Sequence, residues 1–194
     1  MIIDHVGLIL NLQILRIIGR LSLPLFIWVF AQNWKRENDK DKLSKRLLLF
    51  GILSQIPYAM LTSRLNLNVM FSFFWITQTF LYLRKSERKL LILAIGIVGT
   101  EILKIDYGWY GVASSLLMLE FKVSQPWILG WSLVNVAYTV YGGSLAQMAA
   151  LFAPLILIFY KPGNDEKPSE LEKKFFYYGY PIHMTGLAVI KGLM

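Results

Sequence analysis

The chain has 194 residues, 56% of them hydrophobic and only 16% charged, and its mean hydropathy is +0.50. That is more apolar surface than a soluble domain of this size can cover with polar groups, so the composition predicts an integral membrane protein. The absence of cysteine excludes disulfides, thiolate nucleophiles and cysteine-ligated metals. A net charge of +8 falls in short blocks between apolar runs, without an aromatic-interleaved groove pattern, so it reads as a topology signal and no nucleic-acid partner is expected.

Taken in order, the chain opens directly on an apolar segment with no basic lead and no small-residue cleavage site, so no secretory signal is expected. Ile2 to about Leu12 is too short to cross ~30 Å of hydrocarbon, which fits a start at an internal Met and a truncated first span. Arg16 to Trp34 makes about 28 Å of helix, bent at Pro24, with Trp28 and Trp34 suited to the interface. The joint KRENDKDKLSKR follows, then Leu47 to Thr62 with a kink at Pro57, then Asn66 to Leu83. After RKSERK come Leu90 to Leu103 and a helix from Tyr107 to near Phe121. Val123 to Tyr160 carries no formal charge and is long enough for two helices with a turn at Gly142-Gly143. A charged joint, Lys161 to Lys174, leads to a last helix from near Phe175. The predicted fold is all-α, a polytopic transmembrane helix bundle of about eight to nine membrane segments. It forms one integral domain over residues 1–194, with joints 35–46, 84–89 and 161–174 on the cytoplasmic side.

Ionisable residues inside such segments cost roughly 2.5 to 3.5 kcal/mol at a helix centre and need a reason. Asp4, His5, Arg16 and Arg20 are residues of this kind in the first stretch. Asp4 and His5 are consecutive, so on a helix their side chains diverge by about 100° and each needs a partner from another helix. Snorkelling to a nearby interface is the alternative for His5. Arg16 and Arg20 share a face at i, i+4, which suits either bidentate capture of a phosphate or carboxylate, or an ion pair with Asp4. A second polar cluster comprises Asn66 and Asn68 with Asp106, Tyr107 and Tyr110. It reads as a site wall, or, for Asp106, as the N-cap of the following helix. Gln55 and Tyr58 suit interhelical hydrogen bonding. Glu101 and Lys104 read as a local pair. His183 fits either a chemical or a packing role. Two His without a clustered pair do not make a zinc-type site, so no metal is expected.

The motifs IDHVGLIL, RIIGRLSLPLFIW, RLLLFGILSQIPY, LNVMF, DYGWYGV and FYYGYPIH, in that order over nearly the whole chain, resemble the TraX family. These are polytopic bacterial membrane proteins named for the protein that N-acetylates F-type conjugative pilin. They are grouped with transmembrane acyl transferases that use a membrane-embedded His and an acyl-coenzyme A donor. On that resemblance Asp4 and His5 stand at the family's Asp-His position. Arg16, Gly19, Arg20 and Pro24 stand in its R-x-x-G-R-x-x-x-P element, and Tyr180, Pro181 and His183 in its terminal Y-P-x-H. One departure is that family members carry more helix before the Asp-His pair.

The activity so implied is acetyl transfer from acetyl-coenzyme A, as co-substrate, to an amine or hydroxyl such as a pilin N-terminus or another membrane or periplasmic acceptor. The setting is the bilayer of a bacterial inner membrane. His5 with Asp4 would be catalytic. Arg16, Arg20, Asn68, Asp106, Tyr107, Tyr110, Gln55, Tyr180 and His183 would bind substrate or anion. Acyl transfer needs a base, oxyanion donors and a site that excludes water. Broken helices at Pro24, Pro57 and Pro181 also fit a small-solute transporter or channel, and a packed bundle fits a non-catalytic pilus assembly protein.

Cation placement gives the orientation. If joints alternate sides, 15 of the 20 Lys/Arg fall on one side and 5 on the other. The 15-cation side is then cytoplasmic, and nine segments put the C-terminus outside. A C-terminal reporter fusion is expected to register an external terminus, and activity only in the cytoplasm would contradict the count or its orientation.

Overall fold

A computed structural model describes residues 1–141, 144–159 and 170–193. Its elements are α1 (Ile2–Ile9), α2 (Gln13–Gly19), α3 (Ser22–Arg36), α4 (Lys40–Thr62), α5 (Val69–Lys85), α6 (Lys89–Ile102), α7 (Gly108–Leu119) and α8 (Gln125–Tyr141). A 3-10 helix (Leu145–Phe152), α9 (Ala153–Phe159) and α10 (Glu170–Leu193) complete the order. Among the described residues there is no strand, only an isolated bridge between Leu67 and Ile105. The all-α expectation holds.

Local chemistry explains where helices begin and end. Asn11 adopts the left-handed conformation (φ 54°), and the Leu12 N–H donates to the Gly7 carbonyl at 2.9 Å, closing α1 as a Schellman turn does. Pro24 has no N–H to offer the Arg20 carbonyl, and the helix expected to bend there is instead broken into α2 and α3. Ser22 Oγ donates to the Gly19 carbonyl at 2.6 Å across the break. The helix expected from Leu47 starts a full turn and more earlier, at Lys40. The Asp39 carboxylate accepts from the Lys42 N–H at 2.9 Å, and an acidic first turn suits the helix dipole. Likewise Asn68 caps α5 by accepting from the Met70 N–H at 2.9 Å, and α10 starts at Glu170, ahead of the expected Phe175. The uncharged stretch after Val123 forms α8, then eight residues of 3-10 helix, long for that type, and then α9. The expected turn at Gly142-Gly143 and most of the joint from Lys161 to Lys174 lie outside the described residues.

Contacts divide the chain into two compact units, Met1–Gln32 with Ala113–Glu166, and Asn33–Val112 with Lys167–Met194. In the first, α1 packs on α2, and the 3-10 helix touches α2, α8 and α9. Trp127 Nε1 donates to the Leu117 carbonyl at 2.7 Å, which joins α7 to α8, and its ring stacks on Trp131 one turn along α8 with centroids 5.7 Å apart. In the second, α4 is flanked by α5 and α10, and α6 lies on α5. Gln78 Nε2 donates to Ser44 Oγ at 2.6 Å, Trp75 Nε1 to the Gly96 carbonyl at 2.8 Å, and Phe50 stacks on Tyr177 at 5.2 Å. The Lys40 ammonium donates to the Trp34 and Glu37 carbonyls at the end of α3 and lies 4.7 Å from the centre of the Trp34 ring. Burial, and the Arg84 cation next to it, hold the Lys40 pKa below the ordinary lysine value against the opposing pull of Glu37.

Among the described residues one stretch, Gln13–Arg36, is long and apolar enough to cross a membrane by length and composition, and the apolar helices Gly108–Leu119 and Leu145–Phe159 are shorter. The sequence reading expected eight or nine crossings. Proline, left-handed residues and the 3-10 segment cut its apolar runs into pieces, while α4, α5 and α10 extend into charged joints.

Lys191 ties the two ends of the second unit's chain order together. Its ammonium donates to the Leu61 carbonyl at 2.8 Å and to Ser63 Oγ at 2.9 Å, covering the exposed carbonyl end of α4. Lys191→Met keeps the aliphatic stem and removes the donors. It is expected to lower stability by about 1 kcal/mol, seen as a lower Tm of the purified chain; an unchanged Tm would contradict this cap.

Candidate functional site

In the first unit, the α1–α2 hairpin is closed by a carboxylate and a guanidinium. Asp4 on α1 and Arg20 at the end of α2 face each other with Nε to Oδ1 at 3.8 Å, and both side chains are largely buried. Two small residues allow the approach. A Cβ on Gly19 would lie 2.4 Å from the Asp4 Cβ and 2.6 Å from its Cα, so only a residue without a side chain fits there. At the other end, Gly7 receives Leu15 and the stem of Arg16, at 2.9 and 3.0 Å from where its Cβ would be. Because Asp4 is committed to α2, the next side chain, His5, projects about 100° further round α1 and is half-buried. Arg16 also is half-buried, one turn before Arg20.

The second unit gathers another polar cluster where four elements meet. Asn68 is fully buried, and both its amide hydrogens are engaged, donating to the Gly51 carbonyl at 2.8 Å and to Gln55 Oε1 at 3.0 Å. Gln55 Nε2 donates in turn to the Asn66 carbonyl at 2.9 Å. The loop of Asp106 is laced to this one: Leu67 N–H donates to the Lys104 carbonyl at 3.0 Å, and Asp106 N–H to the Leu67 carbonyl at 2.8 Å. Lys104 (φ 50°) and Tyr107 (φ 64°), both left-handed, bracket Asp106, a conformation that costs a side-chain-bearing residue on the order of 1 to 3 kcal/mol and is held by those bonds. Ser72 Oγ donates to the Asp106 carbonyl at 2.7 Å. The Tyr58 hydroxyl of α4 reaches the Asp106 carboxylate, and the buried Tyr180 hydroxyl of α10 accepts from the Val69 N–H. Further along α10, His183 Nδ1 is 2.7 Å from the Gly179 carbonyl, and its ring lies edge-on to Tyr180 at 5.4 Å. Tyr110 is fully buried beside Trp109.

Each sequence candidate thus has a place. Asp4, His5, Arg16 and Arg20 lie on the hairpin of the first unit, and Gln55, Asn68, Asp106, Tyr107, Tyr110, Tyr180 and His183 in the second. The ion pair open at the sequence level is realised by Arg20 with Asp4. Asn68, expected to bind substrate or anion, caps α5 and clamps its own loop to α4, with both amide hydrogens engaged. Asp106 accepts the Tyr107 N–H at 3.2 Å, while the first turn of α7 is served by Glu101, whose Oε1 accepts from the Trp109 N–H at 3.3 Å. Glu101 therefore does the work expected of Asp106 and not that of a partner for Lys104. The sequence predicts interhelical hydrogen bonding for Tyr58 but does not identify its partner, Asp106. Its position in SQIPY, one residue after a proline, was the available signal for its contact with Asp106.

These observations define a chain whose described residues are helical apart from short joints, with a buried ion pair in one apolar hairpin and a polar mesh at one loop junction. The model of the TraX protein family matches residues 1–191, and the chain belongs to that family. A protein of Rickettsia prowazekii (strain Madrid E), described as "Uncharacterized protein RP591", is 34% identical over 85 residues, which are 42% of this chain. The match spans about a third (32%) of that protein's length. No solved structure matches the chain.

The glycine contacts separate a residue the hairpin requires from one it does not. Gly19→Ala is expected to force α1 off α2 and to destabilise the chain by about 2 kcal/mol or more. Gly186→Ala in α10, where a Cβ would meet nothing within 4 Å, is expected to be neutral or stabilising by up to about 1 kcal/mol. Thermal melting of both variants checks the contrast, and equal Tm values would contradict it.

Proposed function

We propose that this chain is a multi-pass membrane acyltransferase of a bacterial inner membrane, transferring an acetyl group from acetyl-coenzyme A to an amine or hydroxyl acceptor such as a pilin N-terminus. The observation that carries the reading is the buried Asp4–Arg20 pair beside His5 within an apolar hairpin. An ionised pair so placed is costly unless it organises something.

The distribution of side chains supports the membrane setting. Helix α4 turns Leu49, Ile52, Leu53, Ile56 and Met60 outward, at successive turns of one face, while Ser44, Ser54 and Tyr58 are buried. Helix α8 likewise exposes Leu129, Leu133, Val136 and Val140 and buries Asn135. Water penalises that arrangement and lipid favours it, since inward polar groups find partners and outward aliphatic ones meet acyl chains. Helix α8, shorter than a full crossing, carries the same pattern, which supports segments that span in pairs around breaks, as α2 and α3 would about Arg20-Leu21.

The chemistry assigns roles to the hairpin. His5 removes the proton of the acceptor amine as its nitrogen attacks the thioester carbonyl carbon. The carbon–sulfur bond then breaks, and the imidazolium returns the proton to the departing thiolate, so amide and free thiol are the products. Asp4, held against Gly19 and Arg20, is a positioning residue that fixes the turn of α1 from which His5 projects. The positive charges of Arg16 and Arg20 favour an oxyanion developing near the end of α2. Acetyl-coenzyme A consumption by the purified chain tests the reading. His5→Ala is expected to lower the rate by 10²-fold or more with the Tm unchanged; full turnover in that variant would remove the assignment.

A further inference from the structure

The second unit carries a feature that the acyl-transfer reading does not use, a strongly cationic end. The joints at 35–46 and 84–89 hold ten Lys/Arg against four Asp/Glu. Contacts bring the two joints together. Asn38, Asp39, Lys40 and Asp41 line one hollow with Leu81 and Lys85, the Lys40 and Arg84 cations feel each other, and Trp34 meets Phe80 edge-on at 5.5 Å. Lys35, Arg36, Lys42, Lys45, Arg84, Lys85, Arg88 and Lys89 are all exposed there. The opposite end of the same unit has Arg64, Lys104 and Lys191 with Glu101 and Asp106, close to balance.

Two further bands follow the cations along the helices. Tyr82 on α5, one turn from its basic end, is 60% exposed, and Tyr178, edge-on to Phe50 and next to the Tyr177 ring that faces Arg46, is 53% exposed. Beyond them lie the outward aliphatic faces of α4 and of α6, where Leu91, Ile95, Val98 and Ile102 recur at helical spacing. Cations, then tyrosines, then aliphatic side chains is the sequence of chemistries met on passing from phosphate headgroups through the interface into acyl chains.

We propose that this end of the second unit is a docking surface for anionic phospholipid headgroups, which fix the depth and polarity of the unit in one leaflet; the inference rests on the membrane reading above and on no part of the acyl-transfer chemistry. The occupant is a lipid surface because the cations continue into aromatic and aliphatic bands, which a free phosphate would leave uncovered. Eight exposed cations on two joints that meet gain from a negative surface potential and lose that gain with salt, as the Debye length shrinks.

The test reconstitutes the full chain in phosphatidylcholine vesicles with or without about 30 mol% phosphatidylglycerol. The Tm is expected to be higher by about 5 °C with the anionic lipid, and the increment to vanish at about 0.5 M salt. The variant Lys42→Gln/Lys45→Gln/Lys85→Gln/Lys89→Gln is expected to lose the increment, and Arg64→Gln/Lys104→Gln at the opposite end to keep it. The salt-sensitive difference in the unaltered chain is read independently of whether the fourfold variant folds. Equal Tm values in the two vesicles, the same rise from inorganic phosphate added to phosphatidylcholine vesicles, or equal loss in both variants would overturn the proposal. A chain that enters neither vesicle overturns the membrane reading and this inference with it, whereas one that enters both with a single Tm overturns only this inference.

Discussion

The hairpin at the start of the chain depends on one contact, the approach of the Asp4 backbone to Gly19. It lets a carboxylate and a guanidinium on adjacent helices meet within 4 Å of each other inside an apolar segment. Neither charge would be tolerated there alone, since the desolvation of an isolated ion exceeds what a short helix gains by packing. Together they hold α1 on α2, and the direction of His5 follows because side chains one residue apart on a helix cannot turn independently. The R-x-x-G-R spacing therefore has a mechanical meaning. The glycine provides the space, the second arginine the charge, and the first arginine lays its stem on Gly7.

The second unit solves a related problem with neutral groups. Loops at its junctions carry backbone N–H and C=O groups that lack helical partners, and burying them unpaired would cost on the order of 1 to 3 kcal/mol each. Asn68 and Gln55 satisfy several at once, and the bridge between Leu67 and Ile105 satisfies others across two loops. The strained backbone at Lys104 and Tyr107 is affordable only within this mesh. It positions the Asp106 carboxylate under Tyr58, and α10 contributes Tyr180 from the other end of the chain. Polar residues scattered over more than a hundred positions of sequence thus become neighbours through backbone accounting, without any local motif that joins them.

Much of this was legible in the sequence, and the reasons for the rest are specific. The helices and their order follow from apolar runs separated by charged joints. The pairing of Asp4 with an arginine follows from the cost of leaving either alone. The identity of the partner was not legible, because Arg16 and Arg20 share a face and only the position of Gly19 distinguishes them. Boundaries moved where a cap outweighed hydropathy: Asp39 starts α4 among charged residues, and Pro24 splits one helix into two. The 3-10 segment at Leu145–Phe152 could not be foreseen, since its composition is that of an ordinary apolar helix. The clamping role of Asn68 was not legible, because a buried amide is chemically the same whether it binds a substrate or its own loop. Only its partners tell the two apart.

Asp4 and Arg20 act as one unit in closing the hairpin. A double-mutant cycle of Asp4→Asn and Arg20→Gln, read by thermal melting of the purified chain, tests this directly. Each single variant is expected to be clearly destabilised by the charge it strands. The double variant is expected to lose less than the sum, with a coupling of at least about 1 kcal/mol. Additive losses within about 0.3 kcal/mol would mean that the two charges do not depend on each other, and the hairpin would have to be explained without them.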